Sequence, residues 1–216
     1  MGATNMTRRD WLVVVSPFPL IAVCRSIELL GTPLGTWVWV PAMLVFWFAI
    51  AVLVRYGGSS EALACWLRTP RRPGSWCGLA VAVGLLSLPE FIGHWRVLLN
   101  PGVMIAWVLF ALVNPLFEEA YWRGLLLDAT ASWRTVPAVA YSAFLFAASH
   151  PLIWGVRSEA LRDLRVVPVL AMIGVVWAMA YRRTGSLVCS VVGHACANLL
   201  GMSVPLLLNL YSPLAR

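Results

Sequence analysis

Long apolar runs dominate this chain and leave its backbone few choices. A helix that crosses a bilayer needs about 20 mostly apolar residues. Seven stretches approach or reach that length: 11–30, 37–54, 76–92, 102–129, 136–154, 166–181 and 187–210. The expected fold is all-α, a polytopic membrane helix bundle of about seven transmembrane helices. The composition agrees: 12% of residues are charged and 61% are hydrophobic, against about 25% charged in an ordinary soluble domain. The first run is imperfect, because Pro17, Pro19, Arg25 and Glu28 fall inside it, and it is expected to kink or end early. Residues 1–216 read as a single integral-membrane domain, with no repeat, low-complexity segment or attached soluble domain.

The charges lie between the runs and set an orientation. All the basic residues are arginine, and they give a net charge of +7. They are spread along the chain without a dense patch, so nucleic acid is not an expected partner; the lipid bilayer is. With the N-terminus inside, the inner connections hold Arg8, Arg9, Arg55, Arg68, Arg71, Arg72, Arg134, Arg182 and Arg183, and the outer ones Arg96, Arg157, Arg162, Arg165 and Arg216. The inner excess favours an N-in orientation. Residues 155–165 and 59–68 read as short interfacial helices, the second capped by Ser60. Glu90 and His94 read as interfacial polar groups, and Arg25 and Glu28 as snorkelling or paired. Cys24, Cys65, Cys77, Cys189 and Cys196 form no CxxC and are odd in number. They imply no disulfide framework and read as small packing residues.

Against this background the ionisable residues inside the runs need a reason, since each costs about 2.5–3.5 kcal/mol on insertion scales. The fourth run holds Glu118, Glu119 and Arg123, the fifth ends in "FLFAASH" at His150, and the seventh holds His194 and Asn198 in "GHACANLL". A spacing of four places two residues on one helix face. Glu119 can therefore pair with Arg123, and His194 and Asn198 can point at one spot. At about 1.5 Å per residue, Glu118, His150 and His194 lie roughly 16, 21 and 12 Å from the inner ends of their helices. All three fall near the middle of a hydrocarbon core about 30 Å thick.

Such a cluster supports more than one chemistry. A glutamate beside a histidine activates water as a general base, and two donors such as His194 and Asn198 suit a developing oxyanion. One glutamate and two histidines also resemble a catalytic zinc set, which would use Glu118, His150 and His194. Spacing does not separate the two. Two non-catalytic readings stand beside them. In one, an immunity or transporter-associated protein uses the cluster as interhelical glue; in the other, the cluster is a proton or ion path. The chain has no HExxH helix, GxSG motif, YD and GxGD pair, Walker A loop or GxGxxG, so those chemistries find no support.

In chain order, "EEAYWR" is an EExxxR motif, "FAASH" an FxxxH motif and "HACAN" an HxxxN motif. On these motifs the chain resembles the CPBP family, the type II CAAX prenyl endopeptidases and bacterial Abi-type proteins. The motif-bearing core is about 102–210. The resemblance implies a glutamate-dependent intramembrane endopeptidase. Glu118 and His150 would activate the attacking water, with Glu119 as the second acid, oriented by Arg123. His194 and Asn198 would bind the oxyanion, and Phe146 would pack beside them. No cofactor is required by this mechanism, although the family is often labelled metallopeptidase and zinc stays open. The implied partner is a membrane-anchored peptide or protein: a CAAX-like tail, a bacteriocin leader or a C-terminal sorting helix. The arginine-only composition and small size point to a bacterial inner membrane.

Overall fold

The computed structural model describes residues 6–70 and 74–211; Arg71, Arg72 and Arg216 of the orientation argument lie outside the described residues. The described residues form helices and turns without strands. Six helical stretches are long and apolar enough to cross a membrane: Arg8–Leu30, Thr32–Gly57, Gly74–Leu99, Pro101–Ala129, Thr135–Val156 and Val166–Thr184.

The first run is broken where its prolines predict. Helix α1 (Arg8–Val15) starts on a capping box between Thr7 and Asp10, and α2 (Pro17–Leu30) begins with Pro17 directly after Ser16. The Ser16 hydroxyl donates to Val13 O, and the Tyr121 phenol bonds to the same Ser16 oxygen at 2.7 Å. A 3-10 turn leads into α3 (Trp39–Gly57). The short α4 (Ser60–Trp66) is the expected helix after it, but Ser59, not Ser60, caps it, its Oγ accepting from Ala62 N at 3.1 Å.

Helices α5 (Gly74–Leu85) and α6 (Leu88–His94) are separated at Ser87, just before Pro89. Helix α7 (Pro101–Glu119) is capped by Asn100, whose Oδ1 accepts from the Gly102 and Val103 amides. It runs without a break into a π-helical segment, Ala120–Leu125, and then α8 (Leu126–Ala129). Helix α9 (Thr135–Leu152) carries His150, α10 (Glu159–Arg162) is the expected short helix of the 155–165 connection, and α11 (Val166–Thr184) ends on left-handed Gly185. Helix α12 (Val188–Leu200) and α13 (Ser203–Leu207) complete the bundle.

The last run departs from expectation. It is not one span over 187–210: α12 covers 13 residues, about 20 Å at 1.5 Å per residue. The chain then turns at Gly201 and Met202, where Met202 has φ 54 and ψ 45. A left-handed residue ends a helix, and hydropathy alone does not register it. Ser203 Oγ closes the turn by donating to Asn198 O at 3.1 Å.

Two further expectations are corrected. Cys77 and Cys189 form a disulfide that joins α5 to α12, with Cα atoms 5.1 Å apart. The pairing is a tertiary contact between residues 112 apart, which motif spacing does not reveal. Glu28 neither snorkels nor pairs with Arg25. It is fully buried, and neither carboxyl oxygen has a hydrogen-bond partner among the described residues. Arg25 instead donates to Leu152 O at 2.7 Å, occupying a carbonyl left free at the end of α9.

Glycines allow the central helices to touch. A Cβ on Gly193 of α12 would collide with the Ala80 carbonyl of α5, and one on Gly84 with the Gly193 carbonyl. Close backbone approach through small residues is the usual way membrane helices associate. On α7, Ile105, Leu109, Leu112 and Leu116 form an exposed apolar stripe, while Asn114, Glu118 and Glu119 are buried. That rotation turns the carboxylates inward. Gly193→Ala should separate α5 from α12 and cost about 1–3 kcal/mol, read as a lowered unfolding temperature in detergent. Gly78→Ala, whose Cβ meets nothing within 4 Å and which gains helix propensity, should not lower that temperature.

Candidate active site

The site is built where α7, α9, α11 and α12 meet. The π segment follows directly after Glu119, the second glutamate of the motif. A π turn leaves carbonyls out of the regular ladder, and Ser142 Oγ of α9 takes one by donating to Trp122 O at 2.6 Å. The segment also fits α4, because Gly124 has no Cβ to strike the Trp66 ring.

Glu119 sits at the centre of the charges. Its Oε1 lies 3.1 Å from Arg123 Nη1, one helical turn on, and 2.8 Å from His194 Nδ1 of α12. Glu119 and Arg123 are both fully buried. The expected local pair therefore forms, and Glu119 gains a second partner 75 residues away. The Arg123 guanidinium lies 4.1 Å from the Phe146 ring centre and 5.2 Å from that of Trp177. These aromatic faces supply negative potential to a cation held out of water.

Trp177 of α11 also fixes His194. The two rings stack at 4.6 Å, and the indole N–H donates to Ala80 O at 3.0 Å. With Nδ1 committed to Glu119, the other ring nitrogen, Nε2, lies 3.8 Å from Glu118 Oε2. His150 is held by its own helix: Nδ1 lies 2.8 Å from Phe146 O. A carbonyl only accepts, so this nitrogen carries the proton and Nε2 of the neutral ring is the free base position.

A cavity of about 480 Å³ connects these groups. Glu118, His150, His194 and Asn198 all line it, with Phe146 and Trp177 beside them. Asn198 Nδ2 is buried without a hydrogen-bond partner among the described residues. Glu119 and Arg123 stand behind the cavity wall. Glu90, assigned to the interface from sequence, also lines the cavity, and its neighbour His94 lies 3.7 Å away and stacks on Tyr211 at 4.2 Å. Among the described residues, no group of three His, Cys, Asp or Glu side chains has the arrangement of a metal site. In this arrangement Glu118, His150 and His194 do not form a ligand triad.

Trp177 escaped the sequence reading, although a tryptophan in the middle of a span is a signal, since the residue favours the membrane surface. Asn114 escaped it too. It lies one turn before Glu118 and lines the same cavity.

Comparison with known proteins bears on the same stretch. Residues 100–200 match the family model described as type II CAAX prenyl endopeptidase Rce1-like. No curated protein and no solved structure gives a match. The matched stretch holds Glu118, Glu119, Arg123, Phe146, His150, His194 and Asn198, the EExxxR, FxxxH and HxxxN residues. Over that stretch, just under half of its length, the chain is similar to the type II CAAX prenyl endopeptidases of the Rce1-like group.

Proposed function

We propose that this chain is an intramembrane endopeptidase that hydrolyses a peptide bond close to its substrate's membrane anchor. The observation that carries the reading is one cavity lined by Glu118, His150, His194 and Asn198. Each of the three motifs contributes a side chain to it. Interhelical glue does not need a cavity of this size, nor a free Asn198 amide facing it.

In the proposed reaction the Glu118 carboxylate takes a proton from water while His150 Nε2 accepts the water's other hydrogen and orients it. The water oxygen attacks the scissile carbonyl carbon. Negative charge develops on the carbonyl oxygen, where Asn198 Nδ2–H and His194 Nε2–H donate. As the tetrahedral intermediate collapses, the C–N bond breaks and Glu118 passes its proton to the leaving amine. Donors already in place outside water stabilise such an oxyanion strongly.

Glu119 and Arg123 act behind the wall. Glu119 accepts the His194 Nδ1–H and fixes the ring. When His194 carries a second proton on Nε2, it is a donor into the cavity. The charges of Glu118, Glu119, Arg123 and His194 then cancel, a favourable condition where charge is poorly screened. No step passes through a metal.

The apolar cavity wall, including Met43, Phe110, Ile173 and Leu206, suits a peptide carrying a lipid or an apolar helix. A prenylated CAAX-like tail, a bacteriocin leader and a C-terminal sorting helix share that character. The proposed location is a bacterial inner membrane, with the N-terminus inside.

Glu118→Gln should lower cleavage by about 10²–10⁴-fold, the range for loss of a general base, with an unchanged unfolding temperature. Full activity in that variant would remove the mechanism. Arg123→Ala leaves Glu119 buried without its cation and should cost about 3–5 kcal/mol, seen in thermal unfolding. Cleavage by purified protein should persist in a strong chelator; loss restored by zinc would overturn the metal-free route.

A further inference from the structure

Asn114 is the polar cavity residue that the proposed mechanism leaves unused. It is 2% exposed and lies four residues before Glu118, on the same face of α7. Trp47 of α3 fixes its orientation: the indole Nε1 lies 2.9 Å from Asn114 Oδ1. An indole nitrogen only donates, so the amide oxygen faces Trp47 and the NH₂ group is turned away. Among the described residues that Nδ2 finds no acceptor, and Asn114 lines the cavity. Helix glue explains the oxygen of this amide and leaves its two N–H donors unmatched.

The opposite wall repeats the arrangement. Helices α7 and α12 are antiparallel, since Trp107 Nε1 donates to Leu199 O at 3.2 Å while Glu119 meets His194 at 2.8 Å. One turn before Glu118 on α7 is therefore level with one turn after His194 on α12. Asn114 and Asn198 occupy those positions. The cavity thus has a layer holding Glu118 and His194, and beside it a layer presenting two amide donors from opposite walls.

We propose that Asn114 is a substrate-binding residue, its Nδ2–H donating to a backbone carbonyl of the bound peptide next to the scissile one. The proposal rests on the endopeptidase reading. An extended peptide directs successive carbonyls to opposite sides, and each needs a donor once water is gone. Asn198 serves one side in the reaction proposed above; Asn114 serves the other. Trp47 is a positioning residue, because it determines which end of the Asn114 amide meets the substrate.

The test uses full-length protein in detergent and an internally quenched peptide with a farnesylated cysteine four residues from its C-terminus. Binding is measured in the Glu118→Gln background, where the peptide stays intact. Adding Asn114→Leu should weaken its Kd about tenfold, and in protein retaining Glu118 the same change should raise KM with little effect on kcat. Trp47→Phe keeps the aromatic packing and removes only the N–H. It should produce a smaller loss in the same direction without lowering the unfolding temperature, so a folding defect in Asn114→Leu does not obscure the result. Unchanged Kd in both variants, or no peptide binding by the Glu118→Gln protein, overturns the proposal. Cleavage retained by Glu118→Gln is a separate failure: it removes the proposed water activation, and the Kd ratio still judges Asn114.

Discussion

The centre of this bundle depends on one carboxylate shielded from water. Glu119 is fully buried and shares its Oε1 between Arg123 on its own helix and His194 on another. A lone carboxylate in that position would carry a desolvation cost of several kcal/mol, so the three groups must arrive together. Their meeting fixes the rotation of α7 about its axis, turns Glu118 toward the cavity and sets the angle of the His194 ring. The aromatic faces of Phe146 and Trp177 close around the guanidinium. The same wall that stabilises the buried charge thus forms one side of the cavity.

Division of labour between two adjacent glutamates follows from helix geometry. Neighbours on a helix lie about 100° apart, since a turn takes 3.6 residues. With Glu119 directed at Arg123 and His194, Glu118 has to point elsewhere, and the cavity lies there. Two carboxylates side by side in the chain therefore reach different surroundings, one sealed and paired, the other open to whatever enters.

The residues legible in advance were those with local geometry or depth as their signal. Glu119 and Arg123 were readable as a pair because four residues on a helix is a fixed distance. Glu118, His150 and His194 were readable as a group because depth is counted from helix ends. Contacts between helices were not readable, since they depend on how each helix is rotated and how closely it packs. The bond from Glu119 to His194, the stacking of Trp177 and the Cys77–Cys189 bridge belong to that class. So do the burial of Glu28 and the bond from Arg25 to Leu152 O. The Met202 break was hidden for another reason: a single left-handed residue leaves hydropathy unchanged. Burial was harder to foresee for Asn114, since its partner Trp47 lies 67 residues away.

That break has a consequence for how the bundle keeps an irregular backbone at membrane depth. Irregular backbone at membrane depth survives only where protein covers it or where it borders water. Gly201 and Ser203, on either side of Met202, both line the cavity, while Met202 itself is fully buried. The interruption between α12 and α13 is therefore a protein-covered break whose flanking residues form part of the cavity wall. Its peptide groups are satisfied locally: the Gly201 amide donates to Ala197 O, Gly201 O accepts from the Tyr211 hydroxyl, and Met202 O accepts from the Leu206 amide. The chain thus changes direction beside Asn198 and shapes that end of the cavity without leaving these backbone polar groups open at membrane depth.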